Sequence, residues 1–111
     1  PGLAPHFIAE GASVRNSLIT EGCEVYGHVD HSVIFSGVTI REGATVKDSV
    51  VMPGAVIERG AQVRRAIISE DAVIGAGATV GEATGNIAVV GTGVHLAAGG
   101  EVKAGEQYAG Q

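Results

Sequence analysis

Branched aliphatic residues recur along this chain with a period of 17 residues, and this repeat restricts the possible folds more than any other feature. Each unit has two segments of six residues and one of five, and Val or Ile opens every segment from residue 34 to residue 80. The step from Val25 to Val29 is two residues short, whereas five residues are inserted around 81–86. The repeated positions include Ile34, Ile40, Val46, Val51, Ile57, Val63, Ile68, Ile74, Val80, Val90, Leu96 and Val102.

Half of the 18 glycines occupy one position of the repeat, three residues after the aliphatic residue. A chain that turns a corner at this position needs a positive φ, which glycine adopts without steric cost. Asp71 occupies the same position, and aspartate is, after glycine, among the residues that best tolerate a positive φ. We therefore predict corners at Asp71 and at Gly11, Gly22, Gly37, Gly43, Gly54, Gly60, Gly77, Gly93 and Gly99.

Small residues form a second column, two positions before each repeated aliphatic, as at Cys23, Ala44 and Ala61. Residues i and i+2 of a strand share a face, so each short strand points one small and one large side chain inward. Hexapeptide repeats are typical of a parallel β-helix. We predict an all-β, triangular parallel coil with three short strands per turn, stacked at about 4.8 Å per turn. A β-sandwich has no reason to keep this three-part register.

The composition excludes several other classes of protein. A chain of 111 residues forms one domain, and 45% apolar with 17% charged residues is not typical of disorder. Glycine does not recur every third residue as in collagen, and no apolar run reaches a membrane span. The net charge of −5 provides no basic field for nucleic acid or acidic lipid. The single cysteine favours a reducing, cytoplasmic location.

The residue types that usually carry catalysis occur here in structural positions. Cys23 belongs to the small inward column, where a cysteine is usually inert. His28 and His31 are three residues apart, but no third ligand follows the same column, which argues against a zinc site. Ser17, Ser32 and Ser49 stack without a histidine and an acid in register. We therefore expect no catalytic residue, metal or cofactor in this chain. 

Aliphatic side chains also occupy one column of outward positions, where polar residues are expected. We call this column the apolar strip; Phe35 and Met52 lie near it, and an equivalent column on another face is polar. A contiguous exposed apolar surface marks an interaction site, so we expect the strip to be covered by another subunit or domain. The strip consists of Leu18, Val33, Val50, Ile67 and Val89.

Basic residues form a smaller cluster. Arg15, Lys47 and Arg64 follow the aliphatic residues of one column, Asp30 interrupts the series, and Arg65 adjoins it. Two interpretations remain open at this point: a solvated charged face, or a contact for an anion or effector, since stacked cations concentrate positive potential on an otherwise acidic domain.

Several segments resemble a known family. The run Ala4–Ile8, the segment Val14–Cys23 and the segments Val33–Val38 and Val46–Pro53 are similar to the C-terminal β-helix of bacterial glucose-1-phosphate adenylyltransferase (ADP-glucose pyrophosphorylase). The short second coil and the late insertion add to the resemblance. The resemblance implies a left-handed parallel β-helix built from hexapeptide-like repeats.

The resemblance also implies a role for the chain. In this family an N-terminal nucleotidyltransferase domain uses ATP, glucose 1-phosphate and magnesium to make ADP-glucose for glycogen synthesis. The C-terminal β-helix contributes subunit contacts in a homotetramer and supports allosteric regulation. We therefore expect an enzyme as the parent protein and no catalysis by this chain alone. We expect residues 1–7 to be an entry segment that connects to an N-terminal catalytic domain. We expect residues 8–102 to form the β-helix and residues 103–111 to form a loose tail.

Two alternative functions remain open. Hexapeptide acyltransferases also have a left-handed β-helix but use a catalytic histidine, for which His95 and the insertion near Gly85 are the candidates here. A related pyrophosphorylase for mannose or N-acetylglucosamine nucleotides could carry the same β-helix. Binding of acetyl-CoA would favour the acyltransferase.

Overall fold

The computed structural model describes residues 4–110, in which every regular element is a β-strand. This part of the chain contains no helix long and apolar enough to cross a membrane. The strands form three six-stranded sheets. Sheet A contains β1 (Phe7–Ile8), β4 (Glu24–Val25), β7 (Thr39–Ile40), β10 (Val56–Ile57), β13 (Val73–Ile74) and β16 (His95–Leu96). Sheet B contains β2 (Ser13–Arg15), β5 (His28–Asp30), β8 (Thr45–Lys47), β11 (Gln62–Arg64), β14 (Thr79–Val80) and β17 (Glu101–Val102). Sheet C contains β3 (Leu18–Ile19), β6 (Val33–Ile34), β9 (Val50–Val51), β12 (Ala66–Ile68), β15 (Ala88–Val90) and β18 (Gln107–Tyr108).

Each strand pairs in parallel with the equivalent strand of the next coil, so the chain winds through the three sheets in turn. Ile57 of β10, for example, is in register with Ile40 of β7 on one side and Ile74 of β13 on the other. These partners are 17 residues apart, as the sequence repeat requires. The predicted parallel β-helix of hexapeptide-like repeats is therefore confirmed, with six coils between Phe7 and Tyr108.

The core is a narrow column of large and small side chains. The large inward residues, such as Ile40, Ile57 and Ile74, are completely buried. The small inward residues, such as Ala44 and Ala61, are also buried, and each lies two positions before a large inward residue. Burial of apolar surface on this scale supplies the main driving force for folding. The inward spacing predicted from the two columns is therefore confirmed.

The corners follow the glycine pattern. All nine predicted glycines have a positive φ, between 69° and 89°, and Asp71 has a φ of 58°. A second set of corners, between sheets B and C, was not predicted. Its residues also have a positive φ, a conformation in which Asn, Asp and His are enriched but Arg is not. They are Asn16, His31, Asp48 and Arg65.

The predicted loose tail at 103–111 is wrong for the residues that the structure describes. Gly105 forms another corner with a φ of 76°, and β18 pairs with β15. Tyr108 lies six residues after Val102 and is half-buried at the inward position. The pattern of aliphatic residues missed this coil because an aromatic residue occupies its repeated position. At the other end the β-helix begins at Phe7, and residues 1–3 of the predicted leading segment lie outside the described residues.

The second coil is compressed because it lacks two residues between β4 and β5. Gly27 lies at this shortened corner and is buried beneath the third coil. A Cβ atom on Gly27 would lie 2.7 Å from the carbonyl oxygen of Arg41 and still closer to that of Ala44. Glycine is therefore required here by the close approach of two backbone segments.

The serine column stabilises the corners between sheets B and C. The Ser49 hydroxyl donates to the carbonyl oxygen of Lys47 (2.7 Å) and accepts from the backbone N–H of Ala66 (3.1 Å). Ser32 makes the equivalent bonds one coil earlier, to Asp30 and from Ser49. The ladder ends at Ala66, which has no hydroxyl. The serines thus serve as hydrogen-bonding groups of the corner.

Replacing Ser49 with alanine is expected to lower the free energy of unfolding by about 1–3 kcal/mol, because the buried N–H of Ala66 loses its acceptor. Urea unfolding followed by circular dichroism measures the change. Ser36→Ala is the control, since Ser36 is half-buried outside the ladder. Equal stability of the two variants would show that the ladder contributes nothing.

Candidate interaction surface

The apolar strip is formed by the outward side chains of sheet C. Leu18 is in register with Val33, Val33 with Val50, Val50 with Ile67, and Ile67 with Val89. Adjacent strands are about 4.8 Å apart, so the strip runs for about 19 Å along the helix axis. Leu18 is 59% exposed and Ile67 is 38% exposed. The predicted stacking of these five side chains is therefore present in the structure.

Phe35 and Met52 widen the strip. Each lies two residues after a strip residue, Val33 or Val50, and therefore on the same face. Both are half-buried. The backbone N–H of Phe35 donates to the carbonyl oxygen of Val51, and that of Met52 donates to Ile68, so the two residues continue the register beyond the strands.

The outward columns of the other two sheets are more polar. Sheet B presents residues such as Thr45, Gln62 and Thr79 in register. Sheet A is mixed, with Val56 and Val73 between Thr39 and His95. The longest uninterrupted series of outward aliphatic side chains in the described residues is therefore the strip on sheet C.

A shallow groove of about 600 Å³ runs along the edge of the strip. One side is formed by the corner residues between sheets B and C, and the other by the strip. His31 and Asp48 face each other across successive coils, with Nδ1 of the imidazole 2.7 Å from Oδ1 of the carboxylate. The groove therefore has one polar and one apolar side, and protein interfaces likewise combine an apolar core with a polar rim. Its lining includes Asn16, Leu18, His31, Val33, Asp48 and Val50.

The remaining histidines lie apart from the groove and from one another. His28 interacts with Ser13 through Nδ1 at 2.7 Å, away from the His31–Asp48 pair. His95 is exposed on sheet A, in register with Val73. Within residues 4–110 no three His, Cys, Asp or Glu side chains come together as a metal site.

Cys23 is buried in the core, and its thiol donates to the carbonyl oxygen of Phe35 at 2.9 Å. We expect the native protein to resist thiol modification, because a reagent reaches Cys23 only after the coil opens. The release of chromophore from a disulfide reagent, with and without denaturant, measures this protection. Equal rates in both conditions would contradict the buried role.

An aromatic cluster lies on the first coils of sheet A. The ring centroids of Phe7 and Tyr26 are 5.9 Å apart, and Cζ of Arg41 lies 5.9 Å from the Tyr26 ring centroid. The Tyr26 hydroxyl donates to Oε1 of Glu24 at 2.8 Å. This hydrogen bond raises the pKa of Tyr26, because it stabilises the protonated phenol. The effect lies in the alkaline range and gives the cluster no acid–base role near neutral pH.

The structure divides the basic cluster. Lys47 and Arg64 are in register on adjacent coils, whereas Asp30 separates Arg15 from Lys47. The Arg65 guanidinium donates from Nε (3.1 Å) and Nη2 (2.9 Å) to the carbonyl oxygen of Gly85. Arg65 therefore anchors the insertion, and only Lys47 and Arg64 form a directly stacked pair.

Comparison with known proteins is consistent with this architecture. Residues 6–88 match the family described as "GlmU-like, C-terminal hexapeptide". The chain is also similar to the C-terminal region of glucose-1-phosphate adenylyltransferases from Bacillus thuringiensis (strain Al Hakam), Bacillus mycoides (strain KBAB4) and Bacillus anthracis. The identity is 54% over 48 residues in each case. The matched segment covers 43% of this chain and 13% of each relative, so the chain corresponds to a small part of those proteins.

Proposed function

Because the chain belongs to the family of GlmU-like C-terminal hexapeptide domains, we propose that it is the oligomerisation and regulatory domain of a nucleotidyltransferase. The parent enzyme makes ADP-glucose from ATP and glucose 1-phosphate for glycogen synthesis in the cytoplasm. The names of its relatives support this choice of reaction, and the apolar strip on sheet C is the observation that supports the role of the domain in assembly.

Self-association through sheet C follows from the shape and chemistry of the strip. Five aliphatic side chains in one column form a straight, rigid surface, since each is held by strand pairing with its neighbours. A second copy of the chain presents the same straight column, so two strips can pack along their whole length. Burying both removes apolar surface from water at about 25 cal/mol per Å². The occupant that we propose for this surface is therefore a second copy.

The first coil supports a contact with an N-terminal catalytic domain. Its inward residue Ile8 is 40% exposed, and Val14 and Ile19 are only partly buried. Their equivalents in the last coil are Leu96 and Val102, which are buried, and Tyr108, which is half-buried. Apolar groups from another domain would stabilise the first coil by covering these partly exposed core residues. In this proposal the preceding catalytic domain covers that end.

The adenylyl transfer and its magnesium belong to the catalytic domain in this proposal. Among residues 4–110, no three His, Cys, Asp or Glu side chains come together. What the β-helix contributes is position: it fixes the distance and orientation between subunits through a rigid coil.

Two measurements test the proposal. The parent protein is assayed for ADP-glucose and pyrophosphate with ATP, glucose 1-phosphate and magnesium. The isolated chain is examined by sedimentation velocity over a hundredfold range of concentration. We expect ADP-glucose synthesis by the parent and a concentration-dependent rise in the sedimentation coefficient of the chain. A parent active only with another sugar 1-phosphate and nucleotide would replace the substrate assignment. A monomeric chain at all concentrations would contradict the assembly role, and acetyl-CoA binding would favour an acyltransferase.

A further inference from the structure

Two cations are stacked on adjacent coils, at the C-terminal ends of the two central strands of sheet B. Lys47 of β8 and Arg64 of β11 are in register, and both side chains are exposed. Neither makes an ion pair within 4.0 Å among the described residues, whereas Arg59 lies 3.7 Å from Glu42. Like charges directly opposite each other in a sheet are destabilising. An anion placed between them would remove this repulsion.

The insertion forms the wall of a cavity at this pair. A cavity of about 150 Å³ is lined by Lys47, Asp48, Arg64 and Ala83, and Ala83 belongs to the inserted segment 81–86. The insertion is the only departure from the six-residue and five-residue spacing between Ile34 and Val102. It lies between β14 and β15 of the fifth coil, and its Ala83 reaches the cavity beside Lys47 and Arg64 of the third and fourth coils.

The position of the insertion is fixed at both ends. Gly81 lies against the carbonyl group of Arg64, leaving no space for a Cβ atom, and its N–H donates to Val102. Near the other end, the two hydrogen bonds from Arg65 hold the Gly85 carbonyl. Ala83 is thus held beside the cations by two anchors. The contacts at both ends thus fix the wall of the cavity in place beside Lys47 and Arg64.

We propose that Lys47 and Arg64, with Ala83 of the insertion, form a binding site for a phosphate group, carried by a small metabolite or present as inorganic phosphate. Lys supplies a compact charge and Arg a planar set of N–H donors, a combination that suits phosphate oxygens. Of the four basic residues in the cluster, Arg65 donates to the Gly85 carbonyl from both Nε and Nη2, and Arg15 lies beyond Asp30. Arg64 donates from Nη2 to Oε1 of Gln62 at 2.6 Å, which uses one of the five N–H donors of its guanidinium. The proposed site therefore uses only Lys47 and Arg64 of the basic cluster.

One carboxylate also lines the cavity. Asp48 opposes an anion there, but its Oδ1 is paired with Nδ1 of His31 at 2.7 Å, on the side toward the strip. Asp48 has a positive φ of 52°, a conformation that asparagine also tolerates. Asp48→Asn therefore removes the charge without disturbing the corner. This variant is expected to bind phosphate about threefold more tightly, since one repulsive charge is lost.

The test is a titration of the isolated chain with inorganic phosphate, followed by ¹H–¹⁵N correlation spectra at constant ionic strength. We expect shifts centred on the amides of Lys47, Arg64 and Ala83. Lys47→Gln and Arg64→Gln should each weaken binding about tenfold, the typical effect of losing a charge-assisted hydrogen bond. Arg59→Gln, which removes an exposed cation elsewhere, should stay within about twofold of the unsubstituted chain.

The results distinguish a phosphorylated metabolite from inorganic phosphate as the ligand. They also distinguish failure of the phosphate site from failure of the proposed function. Tighter binding of glucose 1-phosphate than of inorganic phosphate would identify a phosphorylated metabolite as the ligand, and equal affinity would identify the phosphate group alone. Shifts spread evenly over all cations, or unchanged in the Lys47 and Arg64 variants, would overturn the site. Its biological use rests on the regulatory part of the proposed function, but the titration requires neither enzyme activity nor self-association.

Discussion

Replacing Val33 and Val50 together with glutamate is expected to abolish self-association of the chain. The two residues are outward neighbours on β6 and β9, at the middle of the apolar strip. In a dimer packed through this strip, two adjacent carboxylates would be buried without partners. Burying an unpaired charge costs several kcal/mol per ion, so the dissociation constant should rise by at least about a thousandfold. Sedimentation velocity should show a monomer at every concentration examined.

The control for this variant is Thr45→Glu combined with Gln62→Glu. These residues are also outward neighbours in register, but they lie on the polar sheet B. The change in net charge and the repulsion between the new carboxylates are the same in both double variants. Circular dichroism establishes that each remains folded. If the Val33/Val50 variant associates as strongly as the control, sheet C is not the interface.

Replacing Gly27 with alanine is expected to destabilise the β-helix by about 3 kcal/mol, at the upper end of the usual cost of overpacking. The added Cβ would overlap the carbonyl oxygens of Arg41 and Ala44, which belong to the backbone of the next coil. Backbone at a corner cannot move aside as a side chain does, because Ala44 also accepts a hydrogen bond from His28. The midpoint of urea unfolding measures the loss.

Gly77→Ala provides the comparison. Gly77 has a φ of 69°, and a Cβ atom there meets no atom within 4 Å. The cost should therefore be only that of the left-handed conformation, about 1–2 kcal/mol. A Gly27 variant no less stable than the Gly77 variant would show that the compressed second coil relaxes freely.

Most of the fold could be predicted because local and long-range requirements coincide in a repeat. The residue that faces inward at Ile57 is also the residue that pairs with Ile40 and Ile74, so one spacing specifies both. Asp71 was identified as a corner from its position alone, and its φ of 58° agrees. Tyr108 falls outside the aliphatic pattern because it is aromatic, although its spacing of six residues from Val102 matches the repeat.

The candidate sites were predicted less completely than the fold. The apolar strip could be predicted, because outward positions follow from the same period as inward ones. The basic cluster was predicted as Arg15, Lys47 and Arg64 of one column, interrupted by Asp30, with Arg65 adjoining it. The structure distinguishes them through contacts that no period describes, such as the bond between Arg65 and Gly85.

The amino-acid sequence by itself determined the coil, the corners at glycine and Asp71, and the strip, because a steric requirement recurs at each of these positions with the same spacing. Only the tertiary structure decided where the insertion lies. Residues 81–86 have no repeat, and their place depends on the guanidinium of Arg65 and on the close contact of Gly81 with the backbone of Arg64. Those contacts join residues of different coils through side-chain torsions and backbone packing. The cavity beside Lys47 and Arg64 therefore exists only in the folded chain.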